Sequence, residues 1–130
     1  MFGGFGADLS IDDDLTNYCV SNEGVGNWLS IRVPSDTPIG YVAAYNMRED
    51  RGFWPSQLGE FGVWVSNTPG DTTSSSAVKC GESVYRGGDG LDTDPYVLWC
   101  SGAVGEYVTL KQSGGRRYLV IAELNVYRAT

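Results

Sequence analysis

The chain of 130 residues contains no histidine. That removes the commonest general base and the commonest zinc ligand in one stroke. Positive charge is also scarce: nine Lys and Arg face sixteen Asp and Glu, for a net charge of −7. Nucleic acid and anionic membranes are bound by clustered cations, so neither is an expected partner. No apolar run approaches the roughly 18 residues of a membrane-spanning helix. The first residues, Met1-Phe2-Gly3-Gly4-Phe5-Gly6, lack the basic start and long apolar stretch of a signal peptide and read as a tag or a domain boundary. Sustained helical periodicity is missing as well. Cysteine is limited to Cys19, Cys80 and Cys100. An odd count in a turn-rich chain suggests one bridge and one spare thiol. Cys80 and Cys100 flank a loop-rich segment and could close it, which would contribute roughly 3 kcal/mol through the unfolded chain. Three reduced, buried thiols are the alternative.

What the chain does have is 18 glycines together with many aromatic and β-branched residues. That composition predicts a single all-β domain over residues 1–130 with many turns. Alternating runs predict strands over 28–33, 40–46, 61–66, 96–100 and 107–110, with a short strand over 77–80 and a long last strand over 117–127. Two long loops separate them, 47–58 and 81–95, and a Gly/Ser/Thr-rich surface loop covers 67–76. Short strands between such turn signals suggest a sandwich or barrel.

Two features carry chemistry. The last strand holds a lone carboxylate, Glu123, among apolar neighbours. Burying it is costly unless a partner or metal takes its charge. An acidic triplet, Asp12-Asp13-Asp14, stands over a hundred residues earlier. Chain ends meeting over a cation would form a structural calcium site, since Ca²⁺ takes six to eight oxygens from carboxylates and carbonyls. The alternative is a solvated turn at 12–14 and an ion pair between Glu123 and an arginine such as Arg32. The second feature is the charged loop Arg48-Glu49-Asp50-Arg51 followed by Phe53 and Trp54. An arginine held by a carboxylate can donate to vicinal hydroxyls, and an aromatic ring can stack on the apolar face of a sugar. An ordinary surface ion pair, worth under about 1 kcal/mol, is the plainer account of Arg48 and Asp50.

The order of motifs is informative. An acidic loop is followed by Trp-x-x-Ile-x-Val, Val-x-x-Tyr-Asn, the charged loop and Leu-Gly-Glu-Phe-Gly-Val-Trp-Val. Then come Cys-Gly, Cys-x-Gly-x-x-Gly-x-Tyr-Val-x-Leu and Tyr-Leu-x-Ile-Ala-Glu-Leu-x-Val-Tyr. Over residues 7–128 this resembles the F-type (fucose-binding) lectin branch of the galactose-binding-like, discoidin-type β-sandwich superfamily. The resemblance implies a jelly-roll β-sandwich and a Cys80–Cys100 disulfide. It implies structural Ca²⁺ held by Asp12, Asp14 and Glu123, with main-chain carbonyls near Leu9 and Ser21. It also implies a sugar site built from Arg48, Asp50, Arg51 and Trp54. The sequence departs from the family's fucose motif: the motif's histidine has no counterpart, Pro55 stands where a basic residue is expected, and Arg51-Gly52 replaces an adjacent cysteine pair. An opening strand before the acidic loop is missing or much shortened.

No catalytic arrangement competes with this. Asp92 and Asp94 lie beside Gly and Pro as turn residues do, and Ser74-Ser75-Ser76 has no base to activate it. The expectation is a secreted or extracellular, non-catalytic, calcium-stabilised lectin module. Its partners would be glycans or glycoproteins, engaged as a homo-oligomer or within a larger multidomain chain. The alternative is a structural or cell-adhesion module of a larger extracellular assembly whose sugar site has been lost.

Overall fold

The computed structural model describes residues 19–20, 23–34, 36, 38–46, 53–86 and 95–129. Nine strands and one helical turn follow in chain order: β1 (Cys19–Val20), β2 (Trp28–Arg32), β3 (Ile39–Tyr45), α1 (Phe53–Ser56), β4 (Glu60–Ser66), β5 (Val78–Val84), β6 (Tyr96–Ala103), β7 (Tyr107–Ser113), β8 (Val120–Ile121) and β9 (Glu123–Arg128). They form an antiparallel sandwich. One sheet has the order β2-β7-β4-β5, the facing sheet β6-β3-β9, and β1-β8 makes a two-stranded pair. The expected all-β, jelly-roll-type architecture is what the chain adopts.

Alternation builds the core. Leu29 and Ile31 of β2, Phe61, Val63 and Val65 of β4, and Val108 and Leu110 of β7 point from one sheet toward Val42, Leu98 and Leu124 of the other. Removing that apolar surface from water is the main stabilising term, at about 25 cal/mol per Å². Phe61 meets Tyr96 across the gap edge-on, with ring centroids 5.5 Å apart. The expected bridge is present: Cys80 of β5 and Cys100 of β6 are bonded, with S–S 2.04 Å. It joins an edge strand of one sheet to an edge strand of the other.

Polar groups tie loops and turns to the sheets. Ser30 and Thr109 are cross-strand partners whose buried hydroxyls lie 2.6 Å apart. The Gly70 N–H donates to Ser30 Oγ at 2.9 Å, so the loop 67–77 lies over β2 and β7 rather than standing off in solvent. Gln112 donates through Nε2 to the Gln57 and Tyr118 carbonyls, both at 2.8 Å, and its Oε1 accepts from Asn27 Nδ2 at 3.3 Å. Arg117 donates to the carbonyls of Gln57, Glu60, Ser113 and Gly115. Gly59, at φ 52°, makes room for it, because a Cβ there would overlap the guanidinium.

Several element boundaries differ from expectation. The short strand at 77–80 continues to Val84, pairing with β4 across a register shift at Val63/Trp64. The single last strand is two, β8 and β9, interrupted at Ala122. A helical turn, α1, occupies part of the loop 47–58; Pro55 is tolerated there because a first turn has no intrahelical acceptor for its missing N–H.

Candidate functional site

The elements that carry the expected binding residues converge at one end of the three-stranded sheet. Tyr45, the last residue of β3, pairs with Glu123, the first residue of β9. The Ala122 N–H donates to the Tyr45 carbonyl at 2.9 Å. Next in the chain, Asn46 is buried and its Nδ2 donates to the Pro55 carbonyl at 2.8 Å. This bond ties together the two ends of the segment that bears the charged loop. Arg48, Asp50 and Arg51 lie outside the described residues, and Trp54 falls in α1.

Glu123 is 4% exposed. It alternates with the core residue Leu124, which places it on the face turned away from the core, with Tyr45, Asn125 and Tyr127. Its Oε2 accepts a bond from Asn125 Nδ2 at 3.2 Å. The alternative ion pair with Arg32 is not what forms, since Arg32 lies 3.5 Å from Glu106 instead. The Tyr45 hydroxyl is pushed above its ordinary value of 10.0, first by burial and then by the neighbouring Tyr127, Glu123 and Tyr41.

The start of the chain reaches this end too. β1 pairs with β8 in the register Cys19↔Ile121 and Val20↔Val120, within three residues of Glu123. A second link follows, with Gly24 and Arg117 exchanging N–H···O bonds of 2.8 and 3.0 Å. The other expected calcium ligands, Asp12, Asp14, Leu9 and Ser21, lie outside the described residues. Among the described residues no three His, Cys, Asp or Glu side chains gather where a metal could sit. Of the expected ligands Glu123 is the one among the described residues, and it fits the donor chemistry: a hard oxygen anion withdrawn from water, of the kind Ca²⁺ prefers.

One group went unread in the sequence. On the same outer face, at the opposite end of the strands, Trp99, Tyr41 and Tyr127 form a row across β6, β3 and β9. Tyr41 and Tyr127 are stacked with centroids 4.5 Å apart, and Tyr41 and Trp99 are tilted at 4.8 Å. Each alternates with a core residue, which marks it as outward-facing, but nothing local in the sequence marks the three as neighbours. Among the described residues no helix is long and apolar enough to cross a membrane.

No known sequence family and no curated protein sequence matches the chain. Solved structures do. The lectin domain of lectinolysin complexed with Lewis B antigen is 17% identical, with a TM-score of 0.71 over 95% of this chain and 84% of that one. An F-lectin (fucolectin) from striped bass (Morone saxatilis) serum is 14% identical, with a TM-score of 0.74 over 95% of this chain and 41% of that one. A Streptococcus pneumoniae fucose-binding module is 15% identical, with a TM-score of 0.67 over 95% and 85%. The fold of this chain is therefore the sandwich shared by fucose-binding lectin domains, as the sequence motifs implied.

Proposed function

We propose that the chain is a non-catalytic glycan-binding module of lectin type, stabilised by calcium and working outside the cell. The observation that carries the sugar-binding reading is the Asn46–Pro55 tie. It anchors both ends of one loop at the end of a rigid sandwich, and rigid anchoring limits the ordering cost of binding. Arg48 and Asp50 then supply donors and their brace, Arg51 a second cation, and Trp54 a stacking face. The structural neighbours support this chemistry, since one is named in complex with Lewis B antigen and another as a fucose-binding module. The absent histidine favours a sugar other than the one the fucose motif reads.

Calcium would be held by Asp12, Asp14 and Glu123, with carbonyls at Leu9 and Ser21. The β1–β8 pairing supports it by bringing the early chain beside Glu123. When bound, the cation supplies the positive charge that makes a cluster of carboxylates tolerable. The inter-sheet disulfide suits an oxidising, extracellular setting.

A glycan array probed with a multivalent form, with and without calcium, tests the function. Arg48→Ala is expected to lose binding while keeping its fold. Chelator is expected to lower the melting temperature, and Glu123→Ala to abolish that response. A calcium-loaded multivalent form that binds no glycan would instead assign the chain to the structural, adhesive role.

A further inference from the structure

We infer that the aromatic row on β6, β3 and β9 is a second glycan-binding face, built to take one pyranose ring. The inference shares the carbohydrate chemistry of the proposed function but none of its residues. The row lies four residues along β9 from Glu123, about 14 Å at the rise of a strand. The two sets of residues do not overlap, so each can be substituted without touching the other.

The site has a floor, a wall and a rim. Trp99 is 64% exposed and Tyr127 38% exposed, so much of both rings faces solvent. Tyr41, half-buried between them, holds both through its ring contacts. Beside them is a depression of about 510 Å³, lined by Tyr41, Trp99, Ser101, Gly102 and Arg128. That volume lies within the range of small-ligand sites, roughly 300–1,000 Å³.

The rim is produced by a bulge. Between the pairs Tyr41↔Trp99 and Ile39↔Ala103, β3 contributes one residue and β6 contributes three. The extra residues are accommodated by positive φ at Ser101 (56°) and Gly102 (88°). Among the described residues, Ser101 is the only non-glycine at positive φ. Bulges of this kind re-aim side chains beside functional sites, and sparsely populated backbone conformations concentrate there. A Cβ added to Gly102 would meet nothing within 4 Å, so the kink faces open space.

The chemistry selects a sugar over a protein partner. A pyranose presents an apolar face of C–H groups to an indole and hydroxyls at its edge. The edge groups here are the exposed Arg128 guanidinium, which pairs with no acid among the described residues, and the Ser101 hydroxyl. Arginine matches vicinal oxygens or a carboxylate with paired donors. The three rings expose on the order of 300 Å² in all, taking roughly 150–250 Å² for a whole aromatic side chain. A stable protein interface needs about 800 Å² from each partner. The three rings by themselves therefore match a sugar ring, and a second copy of the chain would have to recruit much more of the surface.

The test is an NMR titration following the Trp99 indole N–H, with methyl α-fucopyranoside, lactose and a hexuronate oligosaccharide as probes. At least one is expected to shift that resonance saturably, and the shift should persist in Arg48→Ala. Trp99→Ala, at an exposed position, should keep the fold and weaken that probe's affinity at least tenfold. Arg128→Ala should weaken it less, with partial rescue in Arg128→Lys. If no probe moves the Trp99 resonance, the face is not a glycan site. If the shift disappears in Arg48→Ala, the sugar sits only at the loop; the inference fails and the loop reading survives. Concentration-dependent dimerisation that Trp99→Ala abolishes would also overturn it, assigning the face to self-association. Binding lost in Trp99→Ala but intact in Arg48→Ala would support this face and count against the loop.

Discussion

Replacing Cys80 and Cys100 together by alanine tests how much of the stability comes from restricting the unfolded chain. The bonded residues are 20 apart in sequence. Chain-entropy arithmetic for a loop of that size gives about 3 kcal/mol at 25 °C. Cys100 is buried in the core, so the loss of sulfur contacts adds to that figure. For a chain of 130 residues the entropy of unfolding converts 3 kcal/mol into a fall in Tm of roughly 11 °C. The denaturant slope supplies an independent check. Without the bridge the unfolded chain expands and exposes more surface, so the m-value should rise as the midpoint falls. Urea titration followed by tryptophan fluorescence measures both. A drop of less than about 3 °C with an unchanged m-value would refute the unfolded-state account, because the entropic effect would then be visible in neither quantity.

Gly59→Ala is expected to cost about 1–3 kcal/mol, because alanine is strained at that φ and its Cβ displaces Arg117. Combining it with Arg117→Ala should cost clearly less than the sum of the two, as a double-mutant cycle by urea denaturation would show. Gln112→Leu should lose at least about 2 kcal/mol in the same assay. It leaves the Gln57 and Tyr118 carbonyls and the Asn27 amide with one partner fewer. The raised Tyr45 has a definite sign: its neutral form is favoured by folding, so its contribution is complete below pH 10.0 and is lost as pH rises through the folded value. Spectrophotometric titration should show a late-ionising phase in the folded protein that shrinks in Tyr45→Phe.

Strands that face the core on one side were plain in the sequence. β6 alternates buried with exposed residues, whereas in β2, β4 and β7 the core-facing apolar positions are buried and the intervening Ser30, Gly62 and Thr109 are covered as well. β5 was cut short because Lys79, Gly81, Glu82 and Ser83 give no apolar rhythm, which an edge strand with little buried surface does not need. The break at Ala122 was invisible for the opposite reason: Val120, Ile121 and Ala122 are all buried, so no periodicity marks where one strand ends. Glu123 could be singled out because one charge in an apolar run is chemically conspicuous. The cysteine pairing was narrowed by the turn-rich segment between the two residues and then matched by motif. Tyr41, Trp99 and Tyr127 could not be assembled in this way. Their adjacency depends on the registers β3–β6 and β3–β9 and on a two-residue bulge, none of which leaves a local mark.

The position of the disulfide gives the sandwich a spine. It sews β5 to β6 along one margin, while β2 and β9 border the opposite margin, where no disulfide joins the leaves among the described residues. Thermal breathing should therefore open the molecule like a book, widest along β2 and β9 and least at the stitched side. Amide hydrogen exchange ought to grade across each sheet from one border to the other, and reduction of the bond should flatten that gradient.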